Sequence, residues 1–314
     1  MKVLFIRSGN SGDDPISTRQ GESLEKAGLN VSFYDIIGKG LRGYLRNISL
    51  IRKAVREFGA DLLHAHYGLS GILASLSLTG KPVVTSLMGS DVLRSGLIPV
   101  FLIRIFSKYF WIATIVKTAE MKTKTGLKDV LVIPNGVDME IFFPGDRDRS
   151  LKRLGWEKSE KHILFASDPA RPEKNYALAQ KAFSLVAGEY LKEPVRMHFL
   201  SGINRDEVAD YYRASDVLLL TSLHEGSPNS VKESMACNCP VVSTDVGDVR
   251  EIISDAEGNF ITSFDPADVA KKTVQVLDSG KRTDGRGKIA HLDSRVTARR
   301  IVEVYETVLN KRTT

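Results

Sequence analysis

The chain has 314 residues, 44 Lys and Arg against 38 Asp and Glu for a net charge of +6, 42% hydrophobic residues and 2 Cys. These values fit an ordinary folded protein of about two domains, and exclude a disordered or collagen-like chain and a disulfide-stapled secreted scaffold. Residues 1–150 hold 20 of the basic and 14 of the acidic residues, so the positive excess lies wholly in the first half.

Short β-branched runs alternate with amphipathic stretches. Strands are predicted at Val3–Ile6, Val31–Phe33, Leu62–His64, Val83–Ser86, Ile112–Val116 and Val130–Ile133, and helices at Pro15–Ala27, Leu41–Phe58 and Leu69–Leu78. Residues 134–150 are rich in Pro, Gly and Asp and read as a linker. A second alternation follows: strands Ile163–Ala166, Val195–Leu200, Val217–Thr221 and Val241–Thr244, and helices Asn175–Gly188, Arg205–Ala214, Pro228–Ala236, Val249–Ile253, Pro266–Leu277 and Arg295–Leu309. Near-continuously apolar strands separated by helices predict parallel sheets covered on both faces, with ligands beyond the strand C-termini. The apolar start Met1–Arg7 is too short for a signal peptide, and Leu97–Val116 is broken by Arg104 and Lys108, so neither is read as a membrane segment. A cytoplasmic location with reduced thiols is expected. Cys237 and Cys239 are too close for an easy disulfide, lack a second pair for zinc, and are expected as buried thiols.

The densest polar segment runs from Ser222 to Ala236 after the strand Val217–Thr221. Ser227 suits an N-cap and Pro228 a first helical position, so a helix N-terminus able to hold an anion is predicted there. Glu225 precedes that helix and Glu233 lies on its second turn, placing one carboxylate for a sugar hydroxyl and one for a ribose. Spacing alone fits a capped surface helix with two solvated glutamates equally well.

The run Glu225 to Glu233 resembles the Glu-x7-Glu signature of retaining glycosyltransferases with the GT-B fold, the fourth family of that classification, also called glycosyl transferases group 1. Residues 214–216 and 236–247, Ile133-Pro134-Asn135-Gly136-Val137-Asp138 and Asp168–Asn175 are similar to the family as well, and the subgroup resembled most is that of bacterial teichuronic-acid and envelope-polysaccharide enzymes. The resemblance implies two Rossmann-like doubly wound domains facing across a cleft. These are an acceptor-binding domain over 1–145, a nucleotide-sugar donor domain over 146–290 and a C-terminal helix over 291–314 that packs back toward the first domain. It also implies retaining transfer of a hexose from a UDP- or GDP-sugar to a glycan or lipid-linked acceptor, with no metal and no cofactor.

Roles follow at matching positions. Arg171 and Lys174 match the basic pair that binds the donor diphosphate, Glu225 the glutamate near the transferred sugar and Glu233 the ribose-binding one. Gly226, Ser227, Pro228, Asn229 and Ser230 match the loop whose amides face sugar and phosphates; Gly202 and Ile203 fall where the base is held. In the first half Gly9, Asn10 and Gly12 follow the first strand, where a close backbone approach suits donor phosphate or acceptor. His66 and Asp91 are further cleft candidates, as is Met88, which stands where relatives often carry His; Gly247 is followed by Asp248 where many carry a second glycine. Met88 cannot exchange a proton, which keeps a catalytically inactive sugar-nucleotide-binding subunit as an alternative. His64 and His66 lack evident partners for a metal site, and at least one is expected to be a hydrogen-bonded structural residue.

A nucleotide-cofactor enzyme is a second alternative, with Asp35 as the ribose-binding acid, although residues 8–15 lack G-x-G-x-x-G spacing; an epimerase is a third. The basic residues Arg42, Arg46, Arg52, Lys53 and Arg56, and those flanking the Phe101–Trp111 aromatic cluster, suggest an anionic membrane surface as partner. A packed helix with solvated cations is the competing reading. No recognition module accompanies the charge, so nucleic acid is not expected.

Overall fold

A computed structural model describes residues 1–10, 12, 14–93 and 96–311. The chain forms two compact units: Met1–Gly136 joined by the chain from Ser294 onward, and Val137–Asp293.

The first unit runs β1 (Lys2–Ser8), α1 (Pro15–Lys26), β2 (Asn30–Ile36), α2 (Gly40–Phe58), β3 (Leu62–His66), α3 (Gly68–Leu76), β4 (Val83–Ser86), α4 (Ser90–Leu93), α5 (Leu97–Tyr109), β5 (Ala113–Val116), α6 (Ala119–Thr125) and β6 (Val130–Val132). All strand pairs are parallel, in the order β2-β1-β3-β4-β5-β6. Alternation along β1 feeds two cores. Leu4 and Ile6 join Ile51, Val55 and Trp111 on one face, and Val3 and Phe5 join Leu24 and Ile115 on the other. The order reverses at β1, which puts a crevice beyond the ends of β1 and β3.

The second unit runs α7 (Arg147–Leu154), β7 (Lys161–Phe165), a 3₁₀ turn Pro172–Lys174, α8 (Tyr176–Leu185) ending in a π turn Val186–Tyr190, β8 (Val195–Phe199), a 3₁₀ turn Arg205–Glu207, α9 (Val208–Ala214), β9 (Val217–Leu220), α10 (Asn229–Ala236), β10 (Val241–Thr244), α11 (Val249–Ile253), β11 (Phe260–Thr262), α12 (Pro266–Ser279) and α13 (Gly285–Lys288). Its parallel sheet has the order β11-β10-β9-β7-β8, so the reversal lies between β7 and β9. The final helix, α14 (Ser294–Asn310), returns to the first unit, where Ile301, Tyr305 and Val308 pack with Phe5 and Val84.

Several elements depart from the sequence reading. Residues 137–142 are not a solvated linker: Val137, Met139 and Phe142 are buried in the core of the second unit, held by Arg286, which donates to the Met139 and Phe142 carbonyls. The Asp146 side chain caps the amide of Arg149, so α7 begins inside the stretch read as linker. The run from Leu97 splits into α5 and β5 around Trp111, which is buried although Phe110 and Ile112 beside it are exposed. Strand β11 is not among the strands predicted from the sequence. Cys237 and Cys239 are free and buried, and burial pushes the Cys237 thiol up to about 12.

Candidate active site

The loops after β7 and β9 flank the reversal of the second sheet, where a doubly wound fold opens a ligand crevice. Asp168 accepts from the Ala170 amide in the first loop, and a left-handed Asn175 (φ 52°) closes the 3₁₀ turn that carries Lys174. Thr221, at the end of β9, donates its hydroxyl to the Lys174 and Asn175 carbonyls, and the Leu223 amide donates to the Glu173 carbonyl. These bonds bring residues 51 apart together: Lys174 Nζ lies 2.6 Å from Glu225 Oε1, which also accepts from Ser222 Oγ at 2.7 Å. Both charged side chains are about 15% exposed, so the pair sits in a sheltered, partly wet environment. Lys174, Ser222 and Ser230 line one crevice at the ends of β7 and β9. Arg171 is more exposed and is engaged by Glu173 at 2.6 Å. Both cations expected to meet a diphosphate thus already face a carboxylate.

The N-terminus of α10 differs from expectation. The cap is Pro228, not Ser227, and no side chain caps the helix. Ser227 Oγ instead donates to Asp248 Oδ2 at 2.6 Å, so the hydroxyl that would occupy the first amides is spent elsewhere. Gly247 (φ +59°) makes this possible, because its backbone abuts the Gly226 carbonyl, where any Cβ would collide. One turn into α10, Lys232 is fully buried and reaches the Ser227 carbonyl at 3.5 Å. Burial pulls its ammonium down to about 8 against the opposing pull of Asp248 and Glu233. Burial likewise raises the Asp248 carboxyl, countered by Lys232 and the Ser227 hydroxyl. Glu233 is nearly buried and accepts from Tyr212 OH at 2.8 Å. His224 Nε2, Asn229 Oδ1 and Asp248 Oδ1 are buried without a hydrogen-bond partner among the described residues. Gly202 (φ +68°) and Ile203 follow the edge strand β8, next to β7.

In the first unit, Gly9 donates its amide to the Ile36 carbonyl, and a Cβ there would press on Asp35 Cβ at 2.9 Å. Asn10 is committed to the backbone of Gly38, through its Nδ2 at 2.8 Å and Oδ1 at 2.9 Å. Gly12, Tyr44, Tyr67, Ser70 and Asp91 line a cavity of about 540 Å³. Asp91 also accepts from the amides of Gly68, Met88 and Gly89 at 2.9–3.0 Å; burial raises its carboxyl while those amides oppose. Its first task is therefore to hold the turn, and Met88 enters through its backbone. His64 bonds Tyr305 OH and Ser86 Oγ, and His66 bonds Gln20 Oε1 at 2.8 Å; burial lowers both, His64 to about 3. Among the described residues no three His, Cys, Asp or Glu side chains converge to hold a metal ion. Asp35, the acid of the cofactor-enzyme alternative, pairs with Arg7 at 2.5 Å.

Two family models match: one described as "Glycosyl transferases group 1" over residues 181–279, and one as "Glycosyl transferase 4-like" over residues 15–117. Each model covers about a third of the chain, and both halves therefore resemble glycosyltransferases. The D-inositol 3-phosphate glycosyltransferase of Acidothermus cellulolyticus is 28% identical to this chain, over 83% of this chain and 70% of its own. Among solved structures, a sucrose-phosphate synthase from Thermosynechococcus elongatus matches with a TM-score of 0.82 at 15% identity, covering 99% of both chains. Anabaena HepE in complex with UDP matches at 0.76 with 16% identity, over 98% of this chain and 100% of that one. At these identities the likeness establishes the fold, the two-domain GT-B architecture. No described helix of the chain is long and apolar enough to cross a membrane.

Sequence reasoning did not find Lys232, Ser222 or Tyr212. The lysine was legible only as one more charge on a helix, yet its place beside Glu233 on a helix whose neighbours Val231, Ser234 and Met235 are all buried marks it as interior. Asp248 was visible as a departure from the family pattern, without its partner.

Proposed function

We propose that this protein transfers a sugar, with retention at the anomeric carbon and without a metal, from a UDP- or GDP-sugar to a glycan or lipid-linked acceptor of the cell envelope. The reading rests on one observation: the Lys174–Glu225 pair stands at the reversal of the second sheet, with the uncapped first turn of α10 following in the same loop. An uncapped helix N-terminus favours a phosphate, and a lysine beside it stabilises charge growing on a leaving diphosphate. HepE binds UDP, and a uridine donor for this chain agrees with that. In the proposed front-face step the bond from the anomeric carbon to the diphosphate oxygen breaks, and that oxygen takes the acceptor hydroxyl proton as the new glycosidic bond forms. Arg171 and Lys174 exchange part of their carboxylate contacts for phosphate oxygens, Glu225 orients the sugar and Glu233 the ribose.

Screening UDP-, GDP- and ADP-sugars by thermal shift identifies the donor, because a ligand that binds the folded state raises the midpoint. The product's anomeric configuration, read by proton NMR, is expected to match the donor's. An inverted product, or activity abolished by chelation and restored by a divalent ion, contradicts the reading.

We also propose that the first unit docks on an anionic membrane surface. Helix α3 contacts both α2 and α5. Arg42, Arg46 and Arg56 are exposed on α2 beside Leu45 and Leu50, and Ile98, Phe101, Tyr109 and Phe110 are exposed on and after α5. Each basic residue near such a surface contributes about 1 kcal/mol. Arg52 is spent on the Ser77 carbonyl and Lys53 pairs with Glu57 at 3.7 Å, so the two contribute less. Sedimentation should show binding to vesicles with anionic lipid that weakens with salt; equal binding to neutral vesicles contradicts the electrostatic account.

A further inference from the structure

We propose that Asp248 and Lys232 are positioning residues that keep the N-terminus of α10 open for the donor diphosphate by holding Ser227 out of the capping position. This rests on the functional reading above and adds a cause for the geometry on which that reading depends.

Ser-Pro at a helix start is among the best stop-and-cap pairs: the serine hydroxyl accepts from the second or third amide and proline supplies the first helical φ. Residues 227–228 have that sequence, yet the helix starts one residue later, with proline as an ineffective cap. The Ser227 side chain and carbonyl are pulled by opposite charges. Asp248 Oδ2 accepts from the Ser227 hydroxyl at 2.6 Å, and Lys232 Nζ donates to the Ser227 carbonyl oxygen at 3.5 Å. Both charged groups are expensive where they are, with Lys232 0% and Asp248 7% exposed. An apolar residue at position 232 would pack without that cost, so the buried pair is poorly explained as a source of stability. The turn at Gly247 brings Asp248 within reach by stacking the 247 backbone on that of Gly226. A self-capped helix would fill its own anion site; diverting Ser227 leaves the first amides for a phosphate.

The test compares Asp248→Ala with Ser227→Ala/Asp248→Ala in the full chain. Without Asp248 the hydroxyl is released to cap the helix; without both, nothing can cap it. The probe is whichever of UDP, GDP or ADP stabilises the wild type in the thermal-shift panel, measured by calorimetry alongside kcat/KM for its sugar. Asp248→Ala is expected to weaken binding at least tenfold, and the double variant to recover severalfold, although it has lost one more polar group. A merely structural role predicts the opposite order. Asp248→Asn, which keeps an acceptor for the hydroxyl, should lie within about threefold of wild type. If Asp248→Ala does not fold because buried Lys232 loses one of its two neighbouring carboxylates, the same comparison is made with Lys232→Met added to both variants. A double variant no better than Asp248→Ala, or an Asp248→Ala that binds within twofold of wild type, overturns the inference. A wild type that binds no nucleoside diphosphate and transfers no sugar fails the functional reading instead.

Discussion

At the scale of single residues, the buried histidines carry a pH dependence whose sign is fixed. Burial holds His64 at about 3, with Lys117 adding to the effect, against 6.5 in a solvated chain. Between those values the unfolded chain takes a proton that the folded one refuses, so stability falls as pH falls through that window, by about 1.4 kcal/mol per unit from this group. The bond from His64 to Tyr305 OH, and the stacking of His66 on His64 at 4.6 Å, place both rings where protonation finds no anion. Thermal midpoints should drop steadily from pH 6.5 toward 4.5, and His64→Gln should flatten that slope while lowering the midpoint at neutral pH. A slope unchanged in the variant would assign acid sensitivity to other groups. Tyr305→Phe strands the His64 Nδ1 atom in the core and is expected to cost about 1–3 kcal/mol, read by urea denaturation.

At the scale of elements, the sequence was informative where periodicity decides and silent where tertiary contacts do. The strands β1 to β10, and the helices α1, α2, α3, α8 to α12 and α14, were legible to within a few residues from their apolar patterns. The first turn of α10 was misread because local cap chemistry favours Ser227, and only the returning chain at Asp248 overrides it. The pairing of Lys174 with Glu225 is not derivable from spacing, since it depends on the Thr221 and Leu223 bonds across the strand ends. Residues 137–142 were misread as linker because the pattern of Val137, Met139 and Phe142 is too sparse to count as periodic until Arg286 pins it. The turn at Gly247 gives a test at this scale. Gly247→Ala forces a Cβ onto the Gly226 carbonyl in a left-handed backbone. It should therefore lower the thermal midpoint and reduce kcat/KM at least tenfold by displacing the Glu225 loop; a variant with normal turnover would show that the loop tolerates movement.

At the scale of the whole molecule, the two units share an architecture but divide the chemistry. The charged pair, the open helix N-terminus and the buried lysine all belong to the second unit, around one sheet reversal. The first unit carries a cavity lined by Tyr44, Tyr67 and Asp91, exposed arginines with Leu45 and Leu50 on α2, and exposed Ile98 and Phe101 on α5. Tyr67 holds a left-handed φ of 73° at the entrance to α3, a costly conformation of the sort that collects at functional sites. The positive excess of the first 150 residues lies with the first unit, whereas the proposed donor site belongs to the second and relies on two placed cations and backbone amides. The central claim is that Lys174 acts on the departing diphosphate. Its most direct test is the rate of nucleoside diphosphate release from the donor identified by thermal shift, wild type against Lys174→Ala, with folding verified by circular dichroism. The account predicts a loss of at least a hundredfold in kcat in a folded variant; turnover within a few-fold of wild type would contradict it.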